Sequence, residues 1–130
     1  MDITSFDTRT RANEGVEIEL LSLKTGRGSG SFIKVIGTDS DKFIDLSTQR
    51  ARAMSELMAQ SPNGEIDRKD MVRFTVDLLV GCTLGWRGLE SDGKPLEFSP
   101  ANARMLYESF PAIRQQINEA TAERKNFLLA

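Results

Sequence analysis

Four groups of residues carry side chains that could do chemistry. The segment Thr25–Ser31, TGRGSGS, has the glycine spacing of a phosphate cradle. Such a cradle must feed the N-terminus of a helix, whose free amides hold the anion, and the strongest versions continue into Gly-Lys-Ser or Gly-Lys-Thr. Here the chain runs on into SFIKVIG, which is β-branched and strand-like, so the glycines predict a hairpin tip. The run DSDKFID offers Asp39, Asp41 and Asp45 as oxygen ligands. A calcium loop needs an oxygen at its fifth position and glycine at its sixth, where this chain has Phe43 and Ile44. Helix capping accounts for the aspartates.

Glu90, Asp92 and Glu97 could be imagined as an acid/base pair. A working pair needs desolvation to separate the two carboxyl pKa values. The surrounding SDGKP instead predicts a solvated turn. Cys82 is the single cysteine, set in the apolar run VDLLVGCTL, and the chain has no histidine to activate it. It reads as a small core hydrophobe. The absence of histidine also removes Ser-His and Cys-His catalysis and the commonest metal ligand. The expectation is no catalytic, metal or cofactor residue and no enzyme.

Charge and hydropathy narrow the field further. Net charge is −2, with cations and anions intermixed, which does not favour a nucleic-acid grip. One cysteine cannot make an internal disulfide and fits a reducing compartment. No apolar run reaches the ~20 residues of a membrane span, and MDITSFDTRTRANEG lacks the apolar stretch of a signal peptide.

The elements that must carry these residues follow from periodicity. Residues 1–15 show no period and predict a flexible arm, with Ile3 and Phe6 as isolated apolar residues. Residues 16–130 then predict a single α+β domain. Val16, Ile18 and Leu20 alternate with Glu17 and Glu19, and SFIKVIG makes a second strand. The pair is an N-terminal antiparallel β-hairpin, with or without a third short strand, packed on about four α-helices. The first helix starts at Asp39 or Ser40, with Ile44, Ala51, Met54 and Met58 on one face, and stops at SPNG. The next starts near Asp67 and carries Met71, Phe74, Thr75, Leu78 and Cys82 at helical spacing. Trp86 is expected to plug the core after it. Ser99-Pro100 caps a third helix with Ala103, Leu106, Tyr107 and Phe110, and a fourth is expected from Pro111 to about Leu128.

The order of these landmarks resembles the small tail assembly chaperones of phages with long, non-contractile tails. The landmarks are Gly37, Asp39 and Ser40 at the helix entry, then Trp86, Gly88, Asp92 and Gly93. Ser99, Pro111, Ile113 and Phe127 complete the set. The resemblance spans roughly Val16 to Phe127. It implies a non-enzymatic protein that binds the tape-measure protein and helps recruit tail tube subunits. It further implies that the protein works in the host cytoplasm and is absent from the mature virion. A longer frameshifted product is also a feature of many such families. The alternative is a tail-completion or head-tail connector subunit retained in the virion. A weak homo-oligomer is expected, with no nucleic-acid or membrane partner. Candidate partner contacts are Ile3 and Phe6 in the arm and the terminal run Phe127, Leu128 and Leu129.

Overall fold

A computed structural model describes residues 1–129, and Ala130, the last residue of the expected domain, lies outside the described residues. Two strands, β1 (Val16–Leu21) and β2 (Gly28–Val35), form the expected antiparallel hairpin. A third strand, β3 (Thr83–Arg87), pairs antiparallel with β2, giving the order β1-β2-β3. Ile18 pairs with Ile33 and Val16 with Val35, so the alternation of β1 delivers its apolar parity to one face. Leu20, Ile33 and Val35 are buried on that face.

Four helices follow the hairpin, as expected: α2 (Asp41–Gln60), α3 (Arg68–Cys82), α4 (Pro100–Ser109) and α5 (Pro111–Ala122). Each of the first three starts where a side-chain oxygen accepts from an otherwise unpaired amide. Ser40 accepts from Phe43, Asp67 from Lys69 and Asp70, and Ser99 from Asn102. Val76 and Leu79 of α3, Leu106 and Tyr107 of α4 and Ile117 of α5 join the inner face of the sheet in one core. In its middle, the Tyr107 and Thr83 hydroxyls lie 2.7 Å apart, and Thr83 also donates to the Leu79 carbonyl at 2.7 Å. No helix among the described residues is long and apolar enough to cross a membrane.

The structure departs from the expectations at four places. Residues 1–15, read as a patternless flexible arm, form a 3-10 turn (Ile3–Phe6) and a short helix, α1 (Arg9–Glu14). The arm is docked, because Ala12 is buried and its carbonyl accepts from Gly37 N–H. One buried residue in six is too sparse for a period to register. Second, α2 buries no residue, and Ile44 and Met58 of its apolar-spaced face are exposed. The side facing the body instead carries Phe43 and Leu46, packed against Ile36, Leu78 and Cys82.

Third, Trp86 is half-buried on β3 and packs at the edge of the core. Its indole N–H donates to the Leu96 carbonyl at 2.8 Å, and Phe98 meets the ring edge-to-face at 5.0 Å. These contacts fold back the loop that holds β4 (Glu90–Ser91) and β5 (Lys94–Pro95). Asp92 and Gly93 both take positive φ there, which makes the expected solvated turn a tight hairpin turn. Fourth, α5 stops at Ala122, and a 3-10 turn (Arg124–Phe127) replaces the expected helix to Leu128.

Candidate partner-binding cleft

The two chain ends meet at the start of α2, and side-chain chemistry explains why. Ser40 is buried, with its hydroxyl donating to the Gly37 carbonyl at 2.7 Å while accepting from Phe43 N–H at 3.1 Å. This fixes the turn that presents Asp39 and Asp41. Asp39 accepts from Thr8 Oγ1 at 2.6 Å and from Arg124 Nε and Nη2 at 2.9 and 3.1 Å. One carboxylate thereby holds the arm and the C-terminal turn together. The Arg124 guanidinium, with the Thr8 hydroxyl second, holds the Asp39 carboxyl below its ordinary 3.8. Asp41 repeats the device on the arm alone. Arg9 Nη2 bridges both of its oxygens at 2.9 and 3.2 Å, and Asn13 accepts from its backbone N–H at 2.8 Å. Arg11 donates to the Leu129 carbonyl at 3.1 Å.

Beneath the clasp lies an apolar contact of three residues. A Cβ on Gly37 would sit 2.9 Å from Phe127 and 3.0 Å from Ala12. Arm, turn and C-terminal segment therefore approach more closely than any side chain there would permit. The ion pairs above are exposed to water, which screens them, so each contributes little. The buried contact, more than the salt links, sets the position of both ends.

The result is a cleft of about 690 Å³ between arm, α2 and C-terminal turn. Phe6, Ile44 and Leu128 supply its apolar wall, with Arg9, Arg124 and Lys125 together with Asp7 and Asp39 around them. Of the sequence candidates, Phe6 and Leu128 are brought into this one site. Ile3 lies on the same 3-10 turn, 79% exposed, and Leu129 is exposed beside Arg11. Phe127 is corrected: at 2% exposure it belongs to the core, on the inward side of the turn. Ile44, which the sequence places with Ala51, Met54 and Met58 on one face of α2, is not among the candidate contacts, because nothing local to it shows that residues 6 and 128 lie nearby. An apolar concavity with a rim of mixed charge suits the apolar face of an amphipathic segment.

Cys82 sits away from this cleft, fully buried, and burial pushes its thiol up to about 12. Glu90 and Asp92 are exposed on the small hairpin. A family model described as YdaY prophage protein matches residues 39–129, from the clasping aspartate through the C-terminal turn. No curated protein and no solved structure matches the chain.

Proposed function

The chain belongs to the YdaY prophage protein family and is phage-derived, and from that premise we propose that it is a non-enzymatic tail assembly chaperone. In this reading it binds the tape-measure protein in the host cytoplasm, helps recruit tail tube subunits, and leaves before the virion is complete. The observation that supports it most is the convergence of Phe6, Ile44 and Leu128, from three separate segments, on one apolar cleft. A tape-measure protein is long and helical, and before the tube encloses it, its apolar stripes face water. A small, mildly acidic protein with a cleft sized for one amphipathic turn can cover such a stripe copy by copy.

Co-expression with the tape-measure protein of the same prophage tests the proposal. The expected result is a soluble complex, with the chain missing from purified virions by mass spectrometry. Insoluble tape-measure protein with no complex would overturn it. A chain found at stoichiometric level in virions would replace it with a tail-completion or connector subunit.

A further inference from the structure

The turn that ends α2 carries chemistry of its own. The segment SPNG, which stops the helix, sets Asn63 directly before Gly64. Both residues are exposed, in the link between α2 and α3. An asparagine side chain ends in an amide, and its carbon can be attacked by the backbone nitrogen of the next residue, which closes a five-membered ring. Three conditions favour that attack. The next residue must bring no side-chain bulk, the link must be free to carry its nitrogen onto the carbon, and the charge that builds on the carboxamide oxygen must be stabilised.

Residue 63 meets all three. Gly64 has no Cβ, and nothing beyond its chain neighbours stands within 4 Å of where one would be. Its φ of 70° belongs to a turn that few other residues adopt. Asn63 Oδ1 accepts from the Ser61 hydroxyl at 2.8 Å and from Glu65 N–H at 3.1 Å. Those two donors draw electrons from the carboxamide carbon and stabilise the oxyanion that attack creates. Nδ2, the nitrogen that has to leave, donates to Glu65 Oε2 at 3.3 Å. As that nitrogen gains a proton and becomes cationic, the carboxylate beside it stabilises the charge. One contact opposes the reaction. Gly64 N–H donates to the Ser61 carbonyl at 3.2 Å, a long bond in an exposed turn, where water can take its place.

The other four asparagines lack this setting. Asn13 lies in α1, Asn102 in α4, Asn118 in α5 and Asn126 in the Arg124–Phe127 turn. Each precedes a residue with a side chain, and helical dihedrals keep the next backbone nitrogen away from the carboxamide carbon.

We propose that Asn63 is a self-modification site, which converts to aspartate and isoaspartate in the folded chain without an enzyme. Hydroxide removes the Gly64 amide proton, the nitrogen attacks Cγ of Asn63, and the Cγ–Nδ2 bond breaks. The leaving nitrogen takes a proton from water and departs as ammonia, and a succinimide joins residues 63 and 64. Water then opens the ring. Addition at Cγ gives aspartate, and addition at the main-chain carbonyl of residue 63 gives isoaspartate, whose backbone runs through the former side chain. Either product adds a negative charge beside Glu65 and Asp67, ahead of the N-terminus of α3, where that sign is favourable. None of Ser61 to Glu65 lines the Phe6 cleft, so the modification is independent of what the cleft binds.

Ageing the full chain at mildly alkaline pH and body temperature, in buffer made with heavy-oxygen water, tests it. Mass spectrometry of the digested protein, with fragmentation that separates isoaspartate from aspartate, gives the readout. Circular dichroism checks that the aged chain is folded. Residue 63 is expected to exchange its amide nitrogen for one labelled oxygen and to appear as both products, with isoaspartate in excess. Asn13, Asn102, Asn118 and Asn126 are expected to stay intact. The exposed substitution Asn63→Gln, whose longer side chain would need a larger ring, is expected to give no such product. The proposal is overturned if Asn63 survives in the folded chain, if aspartate forms there without isoaspartate, or if any of the helical asparagines converts as fast.

Discussion

Helices α2 and α3 lie side by side, and the longer one contributes less to the core. α3 buries Phe74, Val76, Leu78, Leu79 and Cys82 in fifteen residues, whereas α2 buries none in twenty. α3 runs through the middle, with the sheet and α4 packed against it. α2 lies outside it, held by its Ser40 cap and by the half-buried Phe43 and Leu46. The difference separates two roles. Burial on α3 specifies the fold, while the outer face of α2 keeps apolar residues such as Ile44 in contact with water. Ile44 gathers with Phe6 and Leu128 in one cleft, the surface to which the proposed function assigns the partner.

The largest expected effect is a break in α3. Leu79→Ala removes a fully buried side chain from the centre of the core. Chemical denaturation should show a loss of about 2–5 kcal/mol. Ile44→Ala on α2 should change stability by no more than ~0.5 kcal/mol. Equal losses at the two positions would erase the distinction between the helices.

High pH probes the same contrast. Cys82 on α3 is held protonated by burial, with its pKa pushed up from 9.0 to about 12, and Tyr107 beside it rises from 10.0 to about 12 for the same reason. The unfolded chain releases these protons first. Stability is therefore complete below pH 9 and is lost as pH rises toward 12. Cys82→Ala should make that loss shallower, measured by denaturation at a series of alkaline pH values. In the wild type at neutral pH, thiol reagents should label Cys82 only as fast as the protein opens.

The clasp gives a smaller effect of opposite sign. Asp39 is stabilised as a carboxylate by Arg124 and Thr8, so its contribution is present above its ordinary 3.8 and disappears as pH falls through the lower folded value. Asp39→Asn should flatten the acid limb of the stability curve below about pH 4. Amide exchange should then rise first in α1 and in Arg124–Phe127, the segments the carboxylate joins.

Much of this architecture is written in short-range pattern. The parity of Val16, Ile18 and Leu20 specifies the hairpin, and Ser40, Asp67 and Ser99 mark three helix starts, because those interactions close within four residues. β3 is hidden because GCTLGWR passes from helix to strand with no turn former at Thr83, and its pairing partner lies some fifty residues earlier. The side of α2 that faces the body was also in the sequence, as Phe43, Leu46, Arg50, Met54 and Leu57 at spacings of three and four. A competing apolar set containing Ile44 and Met58 obscured it. The run Phe127-Leu128-Leu129 gives no sign that its first member turns inward, since that depends on the 3-10 turn after Ala122. The cleft itself is a long-range product. Its apolar wall draws on residues 6, 44 and 128, brought together by the Ala12–Gly37–Phe127 contact beneath the Asp39 clasp.

The central claim is that this cleft, and not the core beneath it, binds the tape-measure protein. Ile44→Asp places a charge on the cleft wall at an exposed position, where the fold should tolerate it. Its affinity for a soluble tape-measure fragment should be measured by calorimetry beside its melting temperature. The account predicts at least a ~10-fold loss of affinity, as expected when a charge is forced into an apolar contact, with a melting temperature close to wild type. Unchanged affinity in a folded variant would contradict it.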